Sequence, residues 1–140
     1  MATLKEVTVA LTSWLQNHNK VNEVTFGDVT EADISTRTNF PLAHLIPLNT
    51  EFNENTTVHT YQLLVLSTFQ ERIEDKIDVL SDMNSIVSDL VSAFNIGGIM
   101  DFSYGIETST TAQVMYDQMA NRLYGYSLEF VITVAKEPIC

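Results

Sequence analysis

Cysteine, proline and positive charge are all scarce in this chain of 140 residues, and each shortage removes a class of protein. The one cysteine, Cys140, stands at the last position. An intramolecular disulfide is therefore excluded, and a thiol there lacks the neighbouring base and fixed surroundings that make a nucleophile. Three prolines and five glycines leave no linker, repeat or low-complexity tract, so residues 1–140 read as one domain. A chain of this length buries roughly 68–70% of the surface its unfolded form exposes, enough for one core without metal or disulfide staples. Apolar residues make up 45% of the chain, yet no run approaches the roughly 18 residues of a membrane span. Met1-Ala2-Thr3-Leu4-Lys5-Glu6 lacks the cationic and apolar segments of a secretory signal, which predicts a protein that starts in the cytoplasm, with no membrane partner.

Seven basic residues stand against 18 acidic ones, a formal charge of −11 spread along the chain and not gathered in a tail. Nucleic-acid affinity rests on clustered Lys and Arg that displace counterions from phosphates, so tight DNA or RNA binding is disfavoured. Such a surface keeps a protein soluble, and it also suits one that meets nucleic acid without adhering to it.

What the sequence has in quantity is periodicity. Thr3 and Glu6 form a capping box, and Val7, Ala10, Leu11, Trp14, Leu15 and His18 recur at helical spacing, which predicts a helix over Leu4–Asn17. Residues 21–27 suit a short strand with Val24 and Phe26 on one face, and the polar stretch 28–38 suits an exposed loop. Residues 40–48 are apolar, with Pro41 and Pro47 near the ends. Proline cannot donate to a ladder, so an edge strand or a strand bounded by its prolines is expected.

A turn over 51–55 leads into a long β-branched and aromatic strand, 56–69, positioned to pair with the preceding one as a hairpin. That strand runs through an elbow, 70–76, with five charges in seven positions, into an amphipathic helix. The helix stripe is Ile73, Ile77, Leu80, Met83, Val87, Leu90, Val91 and Phe94, and Asn95 with Gly97-Gly98 supplies the stop. Asp75, Asp78, Asp82 and Asp89 fall on or beside its polar face, the first three toward the N-terminal half, where negative charge complements the helix dipole. Residues 100–107 return as a strand, and a short helical piece is expected around 116–122. The last strand alternates most cleanly: Tyr124, Tyr126, Leu128, Phe130, Ile132 and Val134 face one way, Ser127, Glu129 and Thr133 the other.

The order α-β-β-β-α-β-β predicts an α+β, two-layer fold, a mostly antiparallel sheet with two helices packed on one face. The centre of the long strand, Leu63, Leu64, Val65 and Leu66, is apolar on both sides, whereas helices cover only one. Either a flap of the same chain or a neighbouring subunit covers the other side, so these four residues are the candidate subunit interface.

Candidate chemistry is sparse. His18, His44 and His59 have no His or Cys partner at metal-ligand spacing, and structural or surface roles are expected for them. Asp28, Glu31 and Asp33 lack the alternating ligands and central glycine of a calcium loop. Asn55-Thr56-Thr57 matches a glycosylation sequon, which has no use in a chain without a secretory signal. Gly97-Gly98 lacks the context of a phosphate loop, and no nucleophile-base pattern is visible. No catalytic residue, metal or cofactor is expected.

The N-terminal helix, the strand opening Phe40-Pro41-Leu42 and closing at Pro47, the long 61–69 strand, the helix with Asp78-Val79-Leu80-Ser81-Asp82-Met83 and the Gly125-Tyr126 step together resemble the tail-terminator and neck proteins of tailed bacteriophages. The resemblance covers nearly the whole chain through diffuse motifs. It implies a non-enzymatic virion protein, assembled in the host cytoplasm. As in that family, the subunits would close a homo-oligomeric ring at the neck or the head-proximal end of the tail, a hexamer favoured over a dodecamer. The ring would meet other neck and tail proteins and pass DNA without specific binding. Glu71, Glu74, Asp75 and Asp78 are its candidate acidic rim or lumen. Two other readings stand beside it: a small-ligand-binding or enzymatic domain with a pocket near 108–122, where Tyr104, Tyr116, Tyr124 and Tyr126 are the candidate lining, and an adaptor that forms no ring.

Overall fold

The structure, a computed structural model, describes residues 4–27, 41–68, 73–95, 104–108, 113–117 and 123–135. The elements run α1 (Leu4–Asn17), β1 (Glu23–Phe26), β2 (Leu42–Phe52), β3 (Thr56–Thr68), α2 (Ile73–Asn95), β4 (Tyr104–Thr108), β5 (Gln113–Asp117) and β6 (Leu123–Ala135). This is the expected α+β class and order with one further short strand, β5. Tyr116 and Asp117, expected in a helical piece, lie on it. The sheet order is β1-β2-β3-β6-β4, antiparallel except for β1 beside β2. Because β3 pairs β6 along its whole length, β4 and β5 lie end to end on the far side of β6, against 130–134 and 123–127.

Alternation fixes the two faces. Ala43, Leu45, Tyr61, Leu63, Val65, Leu128, Phe130, Ile132 and Val134 join Val7, Leu11 and Leu15 of α1 and Met83, Ile86, Leu90 and Phe94 of α2 in one core. Full burial of each large aliphatic side chain contributes roughly 1.5–3 kcal/mol. Aromatic contacts tie the layers: Phe130 lies 5.6 Å from Tyr61 and 5.4 Å from Phe94 between ring centres. The Tyr61 hydroxyl shares a 2.9 Å hydrogen bond with Thr8 of α1. Burial raises the Tyr61 pKa above its ordinary value of 10.0, with the Thr8 bond a smaller opposing influence.

Two boundaries differ from the periodic reading. On α2, Ile86 is fully buried and Val79 packs against the core, whereas Ile77 is 60% exposed. A turn of 100° per residue carries position 77 off the face defined by 83, 86, 87, 90 and 94. On the sheet, β2 continues through Pro47 to Phe52 in place of stopping at its second proline. Its first half is an inner strand between β1 and β3, and its second half is an edge among the described strands. Pro47 sits where that change occurs, beside a register shift that leaves Leu48 without a partner, and so removes no donor from an inner ladder. The reverse turn follows at Asn53, whose N–H donates to the Thr56 carbonyl at 2.9 Å, giving the expected hairpin.

Candidate functional site

The doubly apolar centre of β3 is core. Leu63, Leu64, Val65 and Leu66 are 1, 2, 0 and 4% exposed in the single chain. Leu63 and Val65 face the helices, and the other face of the sheet carries Leu64 and Leu66 with the equally buried Leu42, His44 and Ile46. Both faces of the strand centre are thus already buried within the single chain.

The histidines have structural partners. His18 Nδ1 accepts the backbone N–H of Lys20 at 3.1 Å, which leaves Nε2 as the protonated nitrogen, donating to Asp89 Oδ2 at 2.8 Å. Both nitrogens being engaged, this Asp-His pair has none left to act as a base. It fastens the end of α1 to α2, together with Lys20 and Asp82 at 3.4 Å. Trp14, Asn17, His18, Asn19 and Asp89 line an open cleft of about 490 Å³ there. His44 Nδ1 meets Thr25 Oγ1 at 2.7 Å. His59 Nδ1 meets Thr50 Oγ1 at 3.1 Å, and among the described residues its buried Nε2 finds no hydrogen-bond partner, nor does the Thr57 hydroxyl two residues earlier on the same face. Desolvation accordingly lowers the His59 pKa from 6.5.

Acidic residues on α2 divide by position. Asp82 and Asp89 hold the α1–β1 turn, while Glu74 and Asp78 are exposed and Asp75 is half-buried. Glu71, the acidic group Asp28, Glu31 and Asp33, and Cys140 lie outside the described residues, as do the capping residue Thr3 and Gly97-Gly98. Among the described residues no group of three or more His, Cys, Asp or Glu is gathered as a metal site requires. No helix described is long and apolar enough to cross a membrane.

A different feature stands out on the surface. The β1 ladder on β2 ends where Phe26 pairs with Leu45, and the Gly27 N–H closes it on the Leu45 carbonyl at 3.1 Å. Gly27 itself has φ of 136°, a conformation that favours glycine. Beyond it, among the described residues, nothing pairs the outer edge of β2 over 46–52. The sheet edge is therefore stepped, with a notch one strand wide. Phe26 at 48%, Leu48 at 45% and Phe52 at 77% exposure surround it. The apolar run over 40–48 reveals the strand, but the notch arises from where a distant ladder stops, which no local pattern encodes.

No family model matches the chain, and no curated protein matches it either.

Proposed function

We propose that this chain is a structural protein of a tailed-bacteriophage particle. It is the subunit of a homo-oligomeric ring, a hexamer in the first instance, at the neck or head-proximal end of the tail. The ring ends or joins the tail and leaves a channel for DNA, and the chain performs no catalytic step. The observation that carries this reading is the stepped sheet edge with its exposed Phe26, Leu48 and Phe52, because an unpaired apolar edge is a template for another chain. Used head-to-tail, one such contact repeats from copy to copy and closes a ring when its rotation permits. The formal charge of −11 supports the channel. With Glu71, Glu74, Asp75 and Asp78 at a rim or lumen, like charges repel DNA within a Debye length of about 8 Å at physiological salt.

Light scattering across protein concentrations, with negative-stain images of the protein alone and mixed with tail tubes, tests the reading. Annular particles that cap or join tubes are expected. A strictly monomeric chain that never attaches to tails or necks would overturn it.

A further inference from the structure

We propose that the cleft between the end of α1 and α2, lined by Trp14, Asn17, His18, Asn19 and Asp89, binds a guanidinium group. It shares no residue with the stepped sheet edge and stands apart from the ring reading.

The described side chains hold this cleft in shape without a ligand. Leu15 is buried in the core, so the turn of α1 that carries Trp14 and Asn17 is anchored from beneath. Trp14 packs in part against that core, with its ring centre 5.4 Å from that of His18. His18 Nε2–H in turn donates to Asp89 Oδ2 at 2.8 Å, which fixes the carboxylate, while Oδ1 has no partner among the described residues. The Asp89 side chain is 59% exposed and open to a ligand. A space of about 490 Å³ falls in the range of small-molecule sites, roughly 300–1,000 Å³.

Charge selects the sign of the ligand. Three contributions at the cleft are negative: the open Asp89 oxygen, the π face of Trp14, and the C-terminal end of α1, whose last turn has no basic residue to offset the helix dipole. Lys20, just beyond that end, is paired with Asp82 at 3.4 Å. His18 adds no charge while its Nδ1 accepts the Lys20 N–H. The formal charge of −11 draws cations from further away.

Shape selects guanidinium over ammonium. A guanidinium is planar and weakly hydrated, so it can lie on an indole face while its edge donates to a carboxylate and to the side-chain oxygens of Asn17 and Asn19. An ammonium holds its water more strongly, and an open cleft leaves that water in place. A neutral sugar would use the same indole and amides but gain nothing from the charge.

Trp14 is the only tryptophan, so fluorescence of the full chain reports on the cleft directly. Titration with N-acetyl-L-arginine amide should give a saturable change. The matching citrulline amide, similar in shape but uncharged, should bind at least roughly tenfold more weakly. Asp89→Asn keeps an oxygen for His18 Nε2–H and removes the charge. With its melting temperature unchanged, this variant should lose arginine-amide affinity by a similar factor. The comparison of arginine with citrulline needs no variant, and it decides the matter if Asp89→Asn does not fold. Free L-arginine separates the two sources of the group. Equal or tighter binding of the blocked amide identifies an arginine carried on a protein chain, tighter binding of the free amino acid identifies a small molecule, and both support the site. Absence of a saturable response to the arginine amide, equal affinity for the citrulline amide, unchanged affinity in a folded Asp89→Asn, or saturation by maltose in place of arginine would overturn it.

Discussion

At Gly125 the sheet has no room for a side chain. A Cβ placed there would lie 1.7 Å from the Val65 carbonyl oxygen and 2.8 Å from Leu66 Cδ2. The first of these is backbone in the central strand, which cannot swing aside. Gly125→Ala should therefore cost about 1–3 kcal/mol through backbone shift, read as a lower urea midpoint with unchanged slope. His59 poses the opposite problem, a polar group with too few partners. Its buried Nε2 favours the neutral ring, so its folded pKa lies below the 6.5 of the unfolded chain. As pH falls through 6.5 the unfolded chain takes a proton that the folded chain refuses, so stability drops until the lowered folded pKa is passed. Above 6.5 the contribution is fully present. The loss should approach but not exceed about 1.4 kcal/mol per pH unit. Urea titrations between pH 7.5 and 5 should show this slope for the parent and a shallower one for His59→Gln, and equal slopes would contradict it.

On α2 the chosen stripe and the observed one differ at two isoleucines, and their costs should differ accordingly. Ile86→Ala removes a fully buried side chain and should cost about 2–5 kcal/mol, whereas Ile77→Ala, at a position 60% exposed, should stay within roughly 0.5 kcal/mol. Denaturant midpoints of the two variants decide it. The two helices, the hairpin and the last strand were legible because each repeats an apolar spacing within one element: Val7, Leu11 and Leu15 on α1, Leu128 to Val134 on β6. Isoleucines at 77 and 86 are chemically equal, and only the core they meet separates them. Pro47 likewise reads as a stop, because local sequence cannot say that the strand beyond it lies on an edge where no donor is needed. The candidate site was less legible still. Leu63 to Leu66 show an apolar surplus, but whether the second face meets the same chain or another depends on contacts from elsewhere in the fold. The notch depends on the mutual register of β1 and β2, and what lies between them in sequence has no period.

For the whole molecule, charge and edge act against each other. A formal charge of −11 on each 140-residue copy makes every added subunit repel those already present. The apolar contribution of Phe26, Leu48 and Phe52 does not weaken with ionic strength, whereas the repulsion does. The Debye length shrinks from about 30 Å at 0.01 M to about 3 Å at 1 M, so distant carboxylates on neighbouring copies cease to interact over that range. Association should accordingly strengthen with added salt, opposite to a complex held by ion pairs. Sedimentation velocity at fixed protein concentration should show the larger species growing from 0.01 to 1 M sodium chloride. The same runs with short duplex DNA should show no co-sedimentation at about 0.15 M salt, since seven basic residues against 18 acidic ones give little positive charge to displace counterions. Assembly that weakens as salt rises would mean that charge pairs, and not the apolar edge, hold the copies together.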